Sequence, residues 1–130
     1  MITILPMKDE AKKAAILSAY QQITGKADVI AMCEGEEEFG RAVIALDGTV
    51  LKIYDIIVNG QEPDALDMMG KMTADSLMRS AASYGEHFGA DRIEAYVPAL
   101  ADFLQRKGFK EENGCMATPM STIVHYSHKE

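Results

Sequence analysis

The stretch FGRAVIALDGTVLKIYDIIV, Phe39 to Val58, reads as two strands folded about one tight turn. Asp47-Gly48 tolerates positive φ at little cost, so it closes a hairpin between the runs Phe39 to Leu46 and Thr49 to Val58. Ile56, Ile57 and Val58 are consecutive β-branched residues, which implies burial on both faces and a central place in a sheet. Upstream, Val29 to Cys33 is a third strand-like run. Glu34-Gly35-Glu36-Glu37-Glu38 separates it from the hairpin and is too charged to bury, so it is expected as a solvated loop. The three runs form an antiparallel meander.

Working outward, Met1 to Leu5 suits a short strand ended by Pro6. From Lys8 to Ile23 the apolar residues Ile16, Ala19, Tyr20 and Ile23 recur at helical spacing, and Thr24-Gly25 stops the pattern. After Asn59-Gly60 a long helical segment is expected from Asp64 to Phe88, preceded by Pro63. Asp91 to Val97 then alternates Ile93, Ala95 and Val97 against Arg92, Glu94 and Tyr96, so a strand returns parallel to the one before the helix. Pro98 opens a short helix with Leu100, Phe103 and Leu104 inward, ended by Gly108. Two more strands are drawn through Phe109 to Ala117 and Ser121 to Tyr126, with the turn at Thr118-Pro119.

At 130 residues, with 48% hydrophobic and 25% charged residues, the chain is expected to be a single globular domain over residues 1–130. The net charge of −7 argues against nucleic acid as a partner, because binding there needs clustered cations. No apolar run approaches the roughly 20 residues that span a bilayer, and Met1 to Glu10 lacks a secretion-signal pattern, so neither membrane nor export is expected and the cytoplasm is the expected compartment. Cys33 and Cys115 read as free thiols of a reducing compartment. Neither has a second cysteine at ligand spacing, and His87, His125 and His128 do not gather locally, so no metal is expected.

Four local strings resemble the GNAT superfamily of N-acetyltransferases. Phe39-Gly40-Arg41-Ala42-Val43 is similar to its second-strand "vG-x-a-x", and Ile53-Tyr54-Asp55-Ile56-Ile57-Val58 to its fourth-strand "i-x-d-l-x-V". Phe103-Leu104-Gln105-Arg106-Lys107-Gly108-Phe109 resembles "fYeklGF", and Gly89-Ala90-Asp91-Arg92-Ile93 resembles the "lGa-x-x-i" before strand five. The resemblance covers nearly the whole chain and identifies it as a short, degenerate member. It implies an α/β (α+β) fold with a mixed, mostly antiparallel central sheet of six to seven strands and helices on both faces.

It further implies acyl transfer from acetyl-coenzyme A to an amine on a small molecule or peptide. The pantetheine arm would pair with the edge of strand four, at Ile57 and Val58. The family's pyrophosphate loop, Q/R-x-x-G-x-G/A, falls near Met69-Gly70-Lys71-Met72-Thr73-Ala74, where Met69 and Met72 depart from the pattern. A second register, Asn59 to Asp64, carries two carboxylates that would repel a pyrophosphate. Leu104 stands where many members carry a proton-donating tyrosine, which leaves Tyr96 or water for that role. Asp55 is the expected base, with Glu94 the other candidate; Asp55 reads equally as a strand residue paired with a lysine. Met68, Met69, Met72 and Met78 read as core filler or as a ligand groove. A homodimer could complete a small acceptor wall. The alternative function is a GNAT-shaped binding or regulatory module without transferase activity.

Overall fold

The computed structural model describes residues 1–124. Strand β1 (Ile2–Pro6) and helix α1 (Glu10–Leu17) precede the meander β2 (Lys26–Glu34), β3 (Glu37–Asp47) and β4 (Val50–Val58). Helix α2 (Met68–His87), strand β5 (Arg92–Ala95), helix α3 (Ala101–Arg106) and the hairpin β6 (Lys110–Glu112) and β7 (Cys115–Pro119) follow. Seven strands lie in the order β1-β2-β3-β4-β5-β7-β6, antiparallel except for the β4–β5 pair. The expected mixed sheet and crossover are therefore present.

Gly48, at φ +64°, supplies the backbone that the Asp47-Gly48 turn demands. The charged loop expected from Glu34 to Glu38 is shorter than read: Glu34 and Glu37 form the last rung of the β2–β3 ladder. Arg41 donates from Nε to Glu38 at 2.8 Å, which lets that carboxylate sit in the strand. Helix α1 also ends early, at Leu17, where the Ser18 hydroxyl donates to the Ala15 carbonyl. Tyr20 and Ile23 still pack on the sheet from irregular chain, so their spacing reported burial and not helix.

Helix α2 starts at Met68, not at Asp64, because the Asp67 carboxylate caps it by accepting from Gly70 N–H. It lays Ala74, Leu77, Met78, Ala81 and Ala82 on the sheet. A Cβ on Gly85 would lie 2.8 Å from Leu51 Cβ, so the glycine sets how closely helix and sheet approach. Met78 is core, whereas Met68, Met69 and Met72 are 78%, 68% and 59% exposed.

The run Phe109 to Ala117 is two strands and not one, turned by Asn113 and Gly114 at φ 52° and 87°. In place of the strand expected from Ser121, the chain makes a 3-10 turn at Met120–Thr122, with Met120 buried. Ile123 and Val124 continue without strand structure, and the last two residues of that expected strand, His125 and Tyr126, lie with His128 outside the described residues.

The larger core fills the α2 and α3 side of the sheet around Ile44, Ile53, Leu77, Ile93, Leu104 and Phe109. A smaller one on the opposite side joins Val43, Ala45 and Tyr54 to Ile16 and Leu17 of α1. Helices thus cover both faces. No helix among the described residues is long and apolar enough to cross a membrane.

Candidate functional site

Parallel pairing of β4 with β5 runs only from Val50↔Arg92 to Ile53↔Ala95, and its last bond is Tyr96 N–H to the Ile53 carbonyl at 2.8 Å. Beyond it β4 continues to Val58 while the other chain turns away at Pro98. The two parallel strands part there.

An irregularity at Tyr54 shifts the β3–β4 register between Val43 and Ile44. Asn59 N–H donates to the Phe39 carbonyl at 2.9 Å, so by antiparallel alternation the main chains of Asp55 and Ile57 face β3. Those of Ile56 and Val58 face the gap, while their side chains are buried beneath α2. The extra residue also turns Tyr54 and Asp55 to the same side, opposite α2.

That side carries the acid–base groups. Tyr20 donates its hydroxyl to Asp55 Oδ2 at 2.6 Å, reaching from the turn after α1. Burial, reinforced by this hydrogen bond, pushes the Tyr20 phenol up to about 12. Tyr54 and Tyr96 stack with centroids 5.4 Å apart at the base of the gap. Tyr96 donates to Glu94 Oε1 at 2.6 Å and Arg92 donates to Oε2 at 3.1 Å. Both Glu94 oxygens are therefore occupied, and these bonds hold its carboxyl below the usual range. Burial and Glu94 raise the Tyr96 phenol, making it a reluctant acid. Asp55, Glu94 and Tyr96 thus share one side of the sheet, and Asp55 is the carboxylate with an oxygen to spare.

Across the sheet, an open groove of about 580 Å³ runs between α2 and α3. Leu66, Met68, Met72 and Phe103 give it apolar walls, Lys71 and Arg106 stand at it as cations, and Asp64, Asp75 and Asp102 line it as well. Lys107 is tied to Asp75 at 3.1 Å and lies over the Phe103 ring. Among the expected cofactor residues, Lys71 and Met72 line this groove; Gly70, Thr73 and Ala74 are buried in the first two turns of α2, which are helix and not loop.

The start of α2 is closed. Asp67 Oδ1 accepts from Gly70 N–H at 2.8 Å and from Gln61 Nε2 at 2.9 Å, while Gln61 Oε1 accepts from Asp67 N–H. These bonds, the Gly70 N–H first, hold the Asp67 carboxyl below its ordinary range. A Cβ on Gly70 would collide with the Gln61 amide, so this glycine makes room for Gln61. A diphosphate would meet a fixed negative charge where the family's loop offers free N–H groups. Sequence reading missed Tyr20, Gln61, Asp67 and Arg106. Asp67 carries a local signal, a capping residue three before Gly70; Tyr20 has none, because its partner is 35 residues away.

A β4 that parts from a parallel β5 ahead of a crossover helix, in a seven-stranded sheet, is the architecture of the GNAT acetyltransferases, and the chain has that fold. Among similar solved structures is the ribosomal-protein-S18-alanine N-acetyltransferase from Escherichia coli, with TM-score 0.67, 13% identity, and 97% of this chain covering 98% of that one. The IAA acetyltransferase from Bacillus cereus matches with TM-score 0.64 and 16% identity over 92% of this chain and 99% of that one. A GNAT family acetyltransferase from Elizabethkingia anophelis, solved with acetyl-CoA bound, matches with TM-score 0.59 and 14% identity over 91% and 94%. No protein-family model matches the sequence, and no curated protein matches it.

Proposed function

We propose that the protein is an acyl-coenzyme A-dependent N-acyltransferase, transferring an acetyl group to the amine of a small molecule or peptide in the cytoplasm. The observation that carries this reading is the gap between β4 and β5, with the α2–α3 groove on one side of the sheet and Asp55 on the other. The gap-facing main chain of Ile56 and Val58 suits the amides of a pantetheine arm, and Lys71 and Arg106 suit the phosphates of coenzyme A. The closed start of α2 does not suit the diphosphate. Acetyl-CoA would supply an activated thioester carbonyl. As the amide C–N bond forms and the thioester C–S bond breaks, Asp55, with Oδ2 held by Tyr20, would take the proton that the amine releases, directly or through water, and coenzyme A would leave as a thiolate that water protonates. Glu94, bonded at both oxygens, is the poorer base. The unpaired thiols Cys33 and Cys115 accord with a reducing compartment.

The test is titration calorimetry with acetyl-CoA, followed by thiol-release assays over a panel of amines. Turnover that Asp55→Asn lowers by about 10²–10⁴-fold supports the proposal; absence of binding at millimolar ligand discards it. The charge of Asp67 at the α2 start favours a second reading, a GNAT-shaped binding or regulatory module without transferase activity. Binding without turnover on any amine would select that reading.

A further inference from the structure

The two edges of the sheet are built differently. Strand β6, at one edge, is three residues long and reads Lys-Glu-Glu, fully exposed and charged, a form that discourages pairing with another strand. Strand β1, at the other, is Ile-Thr-Ile-Leu-Pro, without a charge, and Ile2 and Leu5 are each 51% exposed. Met7 N–H donates to the Val29 carbonyl at 2.8 Å, so alternation turns the main chains of Thr3 and Leu5 toward β2. Those of Ile2, Ile4 and Pro6 face outward, and the outer edge of β1 has no strand partner among the described residues.

We infer that this edge pairs with the same edge of a second copy, antiparallel and centred on Ile4. The register is self-complementary. Ile4 faces Ile4 of the partner across two mutual N–H to carbonyl bonds, and each Ile2 N–H meets the carbonyl of the partner's Pro6. Pro6 has no N–H to give, but an outward edge position needs only its carbonyl, so it ends the pairing without blocking it. No charged side chain stands opposite another along these residues, which matters for two chains that each carry a net charge of −7. The α2 side of β1 supplies further apolar surface. There a shallow groove of about 410 Å³ is floored by Ile4, Pro6 and Ile30 and walled by Tyr84 and Phe88, with Arg79 and His87 also at its wall, and Phe88 is 55% exposed. A twofold axis through Ile4 makes the two grooves continuous. The β4–β5 gap lies three strands away and stays within one chain.

Sedimentation velocity from about 5 to 500 µM tests this, a range chosen for the modest affinity that a small interface supports. The 14.2 kDa chain is expected to approach twice its mass, and more readily as salt rises, because screening relieves the net repulsion. Ile4→Lys and Ile4→Glu are each expected to be monomeric, since like charges face each other directly, and an equimolar mixture of the two to dimerise again. Should either variant unfold, Ile2→Pro removes one outward N–H from each copy at an exposed side chain and is expected to weaken the dimer at least tenfold. A monomer throughout the range overturns the inference. So does a dimer that Ile4→Lys or Ile2→Pro leaves intact, or one that weakens steeply with salt.

Discussion

Replacing Asp67 by Asn separates the cap of α2 from its charge. Asparagine caps a helix about as well as aspartate, so Gly70 N–H keeps an acceptor and α2 keeps its start. What leaves is one negative charge at the position a diphosphate would approach. The group is solvent-exposed, so a water-like dielectric applies: unit charges about 5 Å apart shift an equilibrium about fourfold, and a doubly charged diphosphate about fifteenfold. Screening near physiological ionic strength brings the gain down to about fourfold. Calorimetric titration of coenzyme A at about 20 and 150 mM salt should show Asp67→Asn binding more tightly, with the larger gain at low salt. Asp9→Asn is the control, because Asp9 caps α1 through Lys12 N–H in the same way at 3.0 Å, away from the groove. Acidification to about pH 5 should not reproduce the effect, since the Asp67 carboxyl is held below its ordinary range and stays ionised there. Equal affinities for Asp67→Asn and the parent chain, or an equal gain from Asp9→Asn, would refute the assignment of a repulsive charge to the start of α2.

The cations of the groove should act in the opposite sense. Lys71→Ala and Arg106→Ala are each expected to weaken coenzyme A about two- to fivefold without moving the melting temperature, whereas Lys107→Ala, which strips Asp75 of a partner, should lower stability instead. Tyr20 and Tyr84, pushed up to about 12 by burial and then by their bonds to Asp55 and Asp28, keep their protons in the folded state past the usual value near 10. Their contribution to stability is whole below about pH 10 and is lost as pH rises toward about 12. Phenolate absorbance should therefore resolve them from an exposed tyrosine, and a single titration of all five tyrosines near about pH 10 would contradict the burial described. Gly40→Ala would drive a Cβ onto the Ile57 carbonyl and to 3.2 Å from a Leu77 methyl, destabilising by about 1–3 kcal/mol. Thermal unfolding should register this as a fall of about 4–12 °C.

The meander and the crossover were legible because their signals are local. Asp47-Gly48 has to turn, Ile56 and Val58 are buried as expected although Ile57 between them is only half-buried, and the change from period two to helical spacing after Gly60 has to put a helix on the sheet. The ends of helices were less legible. Tyr20 and Ile23 continue the apolar spacing of α1 because the sheet surface wants them, although Ser18 has already taken the chain out of the helix. At α2, Pro63 reads as an opener, and the better cap four residues later overrides it. The site was the least legible part. Asp55 was named from the resemblance but its surroundings were not: one extra residue in β4 turns it to the side where Tyr20 waits, and neither the bulge nor a contact across 35 residues has a periodicity to betray it.

Scaffold and proposed chemistry draw on different groups of the same strand. The side chains of Ile53, Ile56 and Val58 hold β4 under α2, whereas the Asp55 side chain and the gap-facing main chain of Ile56 and Val58 stay available to a ligand. The loop from Asn59 to Asp67 leaves α2 docked through Leu77 and Ala81 whatever it presents to a ligand, so a fold shared at 13% identity is compatible with a donor site that has changed. Asp67 and Asp55 lie on opposite sides of the sheet, and on the proposed function one would act on the approach of a phosphate and the other on a proton. Their effects should therefore separate kinetically: Asp67→Asn should lower KM with kcat unchanged, Asp55→Asn should lower kcat with KM unchanged, and the double variant should show the product of the two. Strong coupling between them would mean that the β4–β5 gap does not keep donor binding and acceptor activation apart.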